Sequence, residues 1–203
     1  MTTTAIKIGP ADHGRRMSLA DFEHAEVQEG RLYELGRGVL VVSDVPNPPH
    51  LAQVIAVRRQ LNAYDLAHPG RVYAVASGSE CKILVAGLES ERHPDLAIYK
   101  TPPPAAGEEA WAIWVPEIVV EVVSPGSEQR DYTEKREEYL LFGVQEYWIV
   151  DAERQEVLVL FRSAGRWAER VLRVPDTYRT RQLPGFVFAC APVFEAARAA
   201  AEQ

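Results

Sequence analysis

Hydrophobic positions along the chain fall into short runs, some with the spacing of strands and some with the spacing of helices. The almost unbroken apolar run over residues 116–123 is typical of a strand in the middle of a sheet. Helical periodicity predicts helices over residues 18–28, 50–67, 131–142 and 192–200. Further strands are predicted over residues 31–35, 39–43, 71–76, 81–85, 96–99, 146–150, 157–161 and 167–174. This order of elements predicts a mixed sheet with helices packed on it, of the α/β or α+β class.

Composition and charge narrow the class of protein. The chain has 203 residues, of which 47% are hydrophobic and 25% charged, as in folded proteins, so disorder and a disulfide mini-fold are excluded. Its formal net charge of -7 argues against a dedicated polybasic DNA binder. It does not exclude an enzyme that meets nucleic acid through a metal and a local patch. We expect one domain over residues 17–203, preceded by a flexible leader over residues 1–16.

The two cysteines, Cys81 and Cys190, stand far apart and next to apolar residues. This setting favours buried free thiols over a zinc site. Free thiols favour a reducing cytoplasm. The first 17 residues hold no apolar run typical of a signal peptide, and no stretch reaches the roughly 20 apolar residues that span a bilayer. We therefore expect a cytoplasmic protein without a membrane partner.

Two acidic residues are candidates for chemistry. Glu121 lies within the apolar run, where a charge is costly unless it is paired or coordinates a metal. Asp95 follows Pro94 at the start of the strand predicted over residues 96–99. There are simpler alternatives: Glu121 lies on an exposed face or pairs with an arginine, and Asp95 is an ordinary strand-start residue that satisfies backbone donors. Side by side, the two carboxylates would instead suit one hard divalent cation.

The helix after Glu121 adds a basic residue. Asp131, Lys135 and Tyr139 are spaced by four and share one helical face. A solvated Asp–Lys pair is the simpler interpretation, because many neighbouring residues are charged. The short turn before the helix nevertheless allows Lys135 to fold back over Glu121. Two carboxylates with a lysine suit metal-assisted phosphodiester hydrolysis.

Three stretches resemble the PD-(D/E)XK nuclease superfamily and, within it, the Uma2 family of restriction endonucleases. They are Tyr33-Glu34-Leu35 with Gly38, Pro94-Asp95, and Glu121-Val122-Val123-Ser124-Pro125 followed by Asp131, Lys135, Tyr139, Gly143, Glu146-Tyr147-Trp148 and Asp151. Leu183-Pro184-Gly185-Phe186 matches the end of the family pattern. The resemblance covers about residues 18–195 and implies a restriction-endonuclease-like mixed central sheet flanked by helices.

The resemblance also implies roles for particular residues. Asp95 and Glu121 correspond to the metal-binding acids, with the carbonyl of Val122 as a further ligand for Mg²⁺ or Mn²⁺. Val123 stands where the superfamily has its lysine, and the family places that lysine on the following helix, which points to Lys135. Glu34 is implied as an additional catalytic acid. DNA is the implied substrate, and a homodimer follows if both strands are cut.

Other residues have less specific signals. His50, Asp131 and Tyr139 are candidates for substrate binding, with a capping or surface role as the alternative for His50 and a core role for Tyr139. Trp111 and Trp114 flank a Pro- and Ala-rich loop, where they suit base stacking or a dimer contact equally well. For the whole chain, the alternatives to a nuclease are a non-catalytic binding or assembly module that kept the fold, and an enzyme for another phosphoester.

Overall fold

The computed structural model describes residues 6–202. The helices are α1 (Leu19–Glu23), α2 (Pro48–Ala67), α3 (Lys135–Phe142) and α4 (Ala191–Ala201). The first strands are β1 (Lys7–Ile8), β2 (Glu26–Val27), β3 (Leu32–Gly36), β4 (Val39–Ser43), β5 (Ala74–Ala76), β6 (Ile83–Val85) and β7 (Ser90–Arg92). The later strands are β8 (Leu96–Tyr99), β9 (Ile118–Val122), β10 (Glu146–Asp151), β11 (Glu156–Ser163), β12 (Arg166–Arg173), β13 (Thr177–Tyr178) and β14 (Phe188–Ala189).

A six-stranded sheet in the order β12-β11-β10-β9-β8-β5 forms the centre of the fold. Strands β9 and β10 are parallel, and all other neighbours are antiparallel, so the sheet is mixed as predicted. β9 is buried along its whole length, as its apolar sequence predicts. A smaller four-stranded sheet has the order β4-β3-β7-β6.

Different elements cover the two faces of the large sheet. Helices α2 and α4 pack together on one face, against the alternate residues Ile118, Val120 and Val122 of β9. Helix α3 and strand β6 cover the other face, where Val119 packs with Tyr139. Because side chains alternate along a strand, Glu121 belongs to the face of Val119 and α3. The predicted fold class is confirmed, and Glu121 lies under the helix that carries Lys135.

The segment predicted as a flexible leader is structured in the part that can be described. Strand β1 pairs in parallel with β2, and Arg16 bridges to Val39. Ile8 is buried with Phe22 and Leu35, so an apolar residue that looked isolated in the sequence has partners in the fold. The prediction of a loose leader is therefore wrong for residues 6–16, and residues 1–5 lie outside the described residues.

Two other local predictions need correction. The helix predicted over residues 18–28 ends at Glu23, and its Ser18 cap accepts a hydrogen bond from the Asp21 amide. Trp114 is not available to stack on a base, because its ring packs on Tyr99 with centroids 3.8 Å apart and its indole N–H donates to the Thr101 carbonyl. No helix in residues 6–202 is both long and apolar enough to cross a membrane.

The predicted burial of both free thiols is confirmed. Burial raises the pKa of the Cys81 thiol to about 12 and that of Cys190 to about 11. Since the thiolate is the reactive form, we expect neither cysteine to react with Ellman's reagent at pH 8 in the folded protein. Both are expected to react after unfolding in guanidinium chloride. Immediate colour without denaturant would show that at least one thiol is accessible.

Candidate functional site

Glu121 is a buried carboxylate near the end of β9, with 4% of its surface exposed. Its Oε1 accepts a hydrogen bond of 2.5 Å from the Tyr139 hydroxyl and lies 3.0 Å from Lys135 Nζ. None of the described residues hydrogen-bonds its Oε2. The exposed-face alternative for Glu121 is therefore wrong: the charge is inside the protein, with partners on one oxygen only.

Lys135 folds back over the end of β9, as the short turn predicts. Its ammonium is surrounded by three carboxylates: Glu121 at 3.0 Å, Asp131 at 3.3 Å and Glu34 at 3.9 Å. A π-helical turn over residues 130–134 leads into α3 at this point, and such turns are frequent at functional sites. The simpler interpretation, a solvated Asp–Lys pair, is wrong, because Lys135 and Asp131 are both buried.

Asp95 precedes β8 and faces the end of β9. Its Oδ2 accepts a 2.7 Å hydrogen bond from the Val122 amide, which spans two neighbouring strands. The Asp95 side chain is 21% exposed. Within residues 6–202 no hydrogen bond involves its Oδ1. One oxygen of the partly exposed Asp95 carboxylate is therefore left without a hydrogen bond from the described residues.

Glu34 reaches the site from the smaller sheet. Its carboxylate accepts a hydrogen bond of 2.9 Å from the His93 amide and lies 3.4 Å from Arg92. Burial opposes ionisation of Glu34, but the charges of Lys135 and Arg92 outweigh it and lower the pKa of this carboxyl. Glu34 does not point outward from its hairpin, because its side chain is 14% exposed and lies between two cations.

Burial and neighbouring charges both shift the pKa values of Glu121 and Lys135. Burial raises the pKa of Glu121, and although Lys135 counteracts it, Asp95 and Asp131 raise it further. Burial would lower the pKa of Lys135, but the surrounding carboxylates raise it above its ordinary value. Lys135 is therefore an ammonium ion at every physiological pH. The ammonium places a positive charge beside Glu121.

His50 faces the site from the first turn of α2. Its Nε2 lies 3.0 Å from the Val122 carbonyl oxygen and 3.2 Å from Asp95 Oδ2, and the residue is buried. The cap of α2 is Asn47, whose side chain accepts from the His50 amide. The capping and surface alternatives for His50 are therefore wrong. It contacts two of the groups that the resemblance implies as metal ligands.

Asp131 and Tyr139 do not fit the substrate-binding role predicted for them. Tyr139 has no exposed surface, and its hydroxyl is committed to Glu121. Asp131 is 2% exposed and accepts a 2.5 Å hydrogen bond from Ser127. The four-residue spacing correctly predicted that they share a face with Lys135, but this face points into the protein. Both residues instead hold groups of the site in place: Tyr139 contacts Glu121, and Asp131 contacts Lys135.

Sequence reasoning missed Arg92 and Glu138. Arg92 is completely buried and donates to both oxygens of Glu138, at 2.7 and 3.0 Å, while also lying 3.3 Å from Glu134. A Cβ at Gly36 would collide with the Arg92 guanidinium, so glycine leaves the space for this side chain. Charged residues such as those around Arg92 are usually solvated. Arg92 is buried because it pairs with Glu138, which lies 46 residues later in the chain, so no local pattern reveals the pair.

Some of the oxygen atoms around Asp95 and Glu121 are suitable ligands for a hard divalent cation, but they do not form a complete ligand set. No three His, Cys, Asp or Glu side chains in the described part of the chain are grouped to hold a metal by themselves. Glu121 is turned towards Tyr139 and Lys135, which explains why it does not close such a group. Asp95 and Glu121 nevertheless each keep one oxygen without a hydrogen bond, and the Val122 carbonyl adds an oxygen at the same strand end. Oxygen donors of this kind suit Mg²⁺ and Mn²⁺.

Comparisons with known proteins identify a related family and a related fold. The sequence model of the Uma2 family, described as "Putative restriction endonuclease", matches residues 19–191. A solved structure from Anabaena variabilis ATCC 29413, described as a putative nuclease belonging to DUF820, is similar with a TM-score of 0.72 and 18% identity. The match covers 89% of this chain and 99% of that chain, and at this identity it shows a shared fold. None of the curated proteins compared with the chain matches it.

Proposed function

Because this chain belongs to the Uma2 family, whose description is "Putative restriction endonuclease", we propose that it is a metal-dependent endonuclease that hydrolyses phosphodiester bonds of DNA. The observation that carries the proposal is the buried contact of 3.0 Å between Lys135 Nζ and Glu121 Oε1. This contact brings together an acid of β9 and a lysine of α3, although Val123 occupies the usual place of the lysine in the sequence. The buried lysine also contributes to stability, so the nuclease is distinguished from a non-catalytic protein by the metal-dependent cleavage tested below.

Asp95, Glu121 and the Val122 carbonyl would hold the cation. When bound, a divalent metal polarises a phosphate and lowers the pKa of its water. Lys135 keeps Glu121 oriented and adds a fixed positive charge, which stabilises negative charge that develops on the phosphate. Glu34 holds Lys135 from the opposite side, and the Tyr139 hydroxyl fixes the Glu121 carboxylate.

Cleavage of supercoiled plasmid in Mn²⁺, Mg²⁺ or EDTA tests the proposal. We expect nicking by the wild type in the presence of a divalent metal and none in EDTA. Asp95→Asn should slow nicking by about 100-fold or more, because removal of even an outer partner of a metal ligand costs about 10–100-fold. The matched control is Asp65→Asn on α2, remote from these contacts along the helix, which should cut like the wild type.

Two results would contradict the proposal. If folded wild type cuts no DNA with any of these metals, the non-catalytic binding module becomes the better interpretation. If Asp95→Asn and Asp65→Asn cut equally, the activity does not come from this site. A contaminating nuclease would produce the second result, so all variants must be purified in parallel.

The proposal includes a homodimer and a cytoplasmic location. Hydrolysis of both strands of a duplex needs two sites, which a symmetric dimer supplies. The two buried free thiols fit a reducing compartment.

A further inference from the structure

We propose that His50 supplies a nitrogen ligand to the metal through its Nε2, and that the site therefore binds Mn²⁺ or Co²⁺ more tightly than Mg²⁺. This inference rests on the proposed function, since it deepens the metal site assigned there. It starts from the contacts of Nε2, which lies 3.0 Å from the Val122 carbonyl oxygen and 3.2 Å from Asp95 Oδ2.

The distances suit ligands of a common ion. In an octahedral site with bonds of about 2.1 Å, neighbouring ligand atoms lie about 3.0 Å apart. Both separations from His50 Nε2 are close to this value. The Asp95 oxygen concerned is Oδ2, which also accepts from the Val122 amide, and a carboxylate oxygen has lone pairs for both partners. The three groups come from α2, β9 and the residue before β8, so the fold brings them together from distant parts of the chain. His50 thus stands where an additional ligand is needed beside Asp95 and Val122.

Two buried atoms without partners give a second and independent reason. His50 Nδ1 and Gln53 Oε1 are both buried without a hydrogen bond, and they lie three residues apart on one face of α2. While Nε2 carries the ring proton and donates to Val122, Nδ1 and Gln53 Oε1 are both acceptors, so they cannot bond to each other. A neutral ring that binds a metal through Nε2 carries its proton on Nδ1.

Metal binding would therefore turn one of these acceptors into a donor. A metal-bound histidine almost always donates its other N–H to an acceptor that fixes the ring. Gln53 presents a buried acceptor one helical turn after His50, and it is 2% exposed. With the metal bound, His50 Nδ1 would be the donor and Gln53 Oε1 the acceptor of a hydrogen bond.

The ligand type sets the metal preference. Carboxylate and carbonyl oxygens suit Mg²⁺, whereas imidazole nitrogen favours transition ions in the order Mn²⁺, then Co²⁺ and beyond. A site with one nitrogen among oxygen ligands still binds Mn²⁺ well but binds Mg²⁺ more weakly. We expect Mn²⁺ to bind at least tenfold more tightly than Mg²⁺.

Pulsed electron paramagnetic resonance of Mn²⁺ added to the full chain tests the ligand directly, without DNA or activity. We expect modulation from a coordinated ¹⁴N nucleus in the wild type. His50→Gln should remove this coupling and weaken Mn²⁺ binding by at least tenfold in calorimetry. His68→Gln at the other end of α2 is the matched control and should retain both. Gln53→Leu should keep the nitrogen coupling and weaken binding by about tenfold.

The outcomes separate this inference from the proposed nuclease. Mn²⁺ bound without nitrogen coupling would overturn the role of His50, while plasmid cleavage could still succeed. Unchanged binding in Gln53→Leu would overturn the role given to Gln53. Failure of the wild type to bind Mn²⁺ would overturn this inference together with the metal dependence of the nuclease. The wild-type spectrum decides the ligand even if His50→Gln fails to fold.

Discussion

Lys135→Met is expected to lower the rate of DNA nicking by about 10²–10³-fold, the cost of removing one preorganised group that stabilises developing charge. The same change leaves Glu121, Asp131 and Glu34 without the ammonium that they share. Removal of one partner from a buried ion pair costs about 3–5 kcal/mol, so the free energy of unfolding should fall by this amount. Urea denaturation and the plasmid assay, run on the same preparations, measure both effects.

Two further variants separate stability from catalysis. Arg136→Met removes the next cation along α3, whose exposed pair with Glu169 should be worth at most about 1 kcal/mol. Adding Glu121→Gln to Lys135→Met removes one of the three carboxylates left without the ammonium, so part of the stability should return while nicking stays lost. If this double variant is no more stable than Lys135→Met, the ion pair with Glu121 is not the source of the destabilisation.

Arg92→Met is expected to destabilise the protein by about 3–5 kcal/mol, because it leaves the completely buried carboxylate of Glu138 without its two hydrogen bonds. The matched control is Arg173→Met. Arg173 also lies close to a carboxylate, 2.6 Å from Glu156, but it is 65% exposed, so its loss should cost at most about 1 kcal/mol. Urea denaturation of the two variants compares a buried and an exposed pair of the same chemistry.

Gly36→Ala perturbs Arg92 without touching its charge. The added methyl would displace the guanidinium and should cost about 1–3 kcal/mol, as overpacking of a core does. Gly87→Ala is the control, since a Cβ there meets nothing within 4 Å. Adding Glu138→Gln to Arg92→Met should restore part of the lost stability. If Arg92→Met loses no more than Arg173→Met, Arg92 is not the structural link that its contacts indicate.

The sequence predicts those parts of the fold that depend on local pattern. Apolar runs predicted β8 over residues 96–99 with its observed bounds and placed β9 at the centre of the sheet. A charge inside such a run is anomalous whatever surrounds it, so Glu121 could be singled out. Lys135 could be found because the four-residue spacing and the short turn are both local features.

The remaining parts depend on contacts between distant segments. Strand β7 contains Glu91 and Arg92, and such residues predict an exposed segment. Its burial follows from Glu138 on α3, which no local pattern connects to it. The sequence predicts substrate binding for His50 and leaves a cap or surface role open, because the Val122 carbonyl that it contacts is 72 residues away. The roles of Asp95, Glu121, Glu34 and Lys135 in catalysis stay predictions until the variants are measured.

The long separations within the site also determine when it can form during synthesis. Glu34 and Asp95 leave the ribosome before Lys135, and β9 is paired on its second edge only by β10, over residues 146–151. Domains generally fold as units as the chain emerges. A nascent chain that ends before β10 therefore has its acids but not the sheet that buries Glu121 beside Lys135. The completed site therefore forms only after β10 has been synthesised.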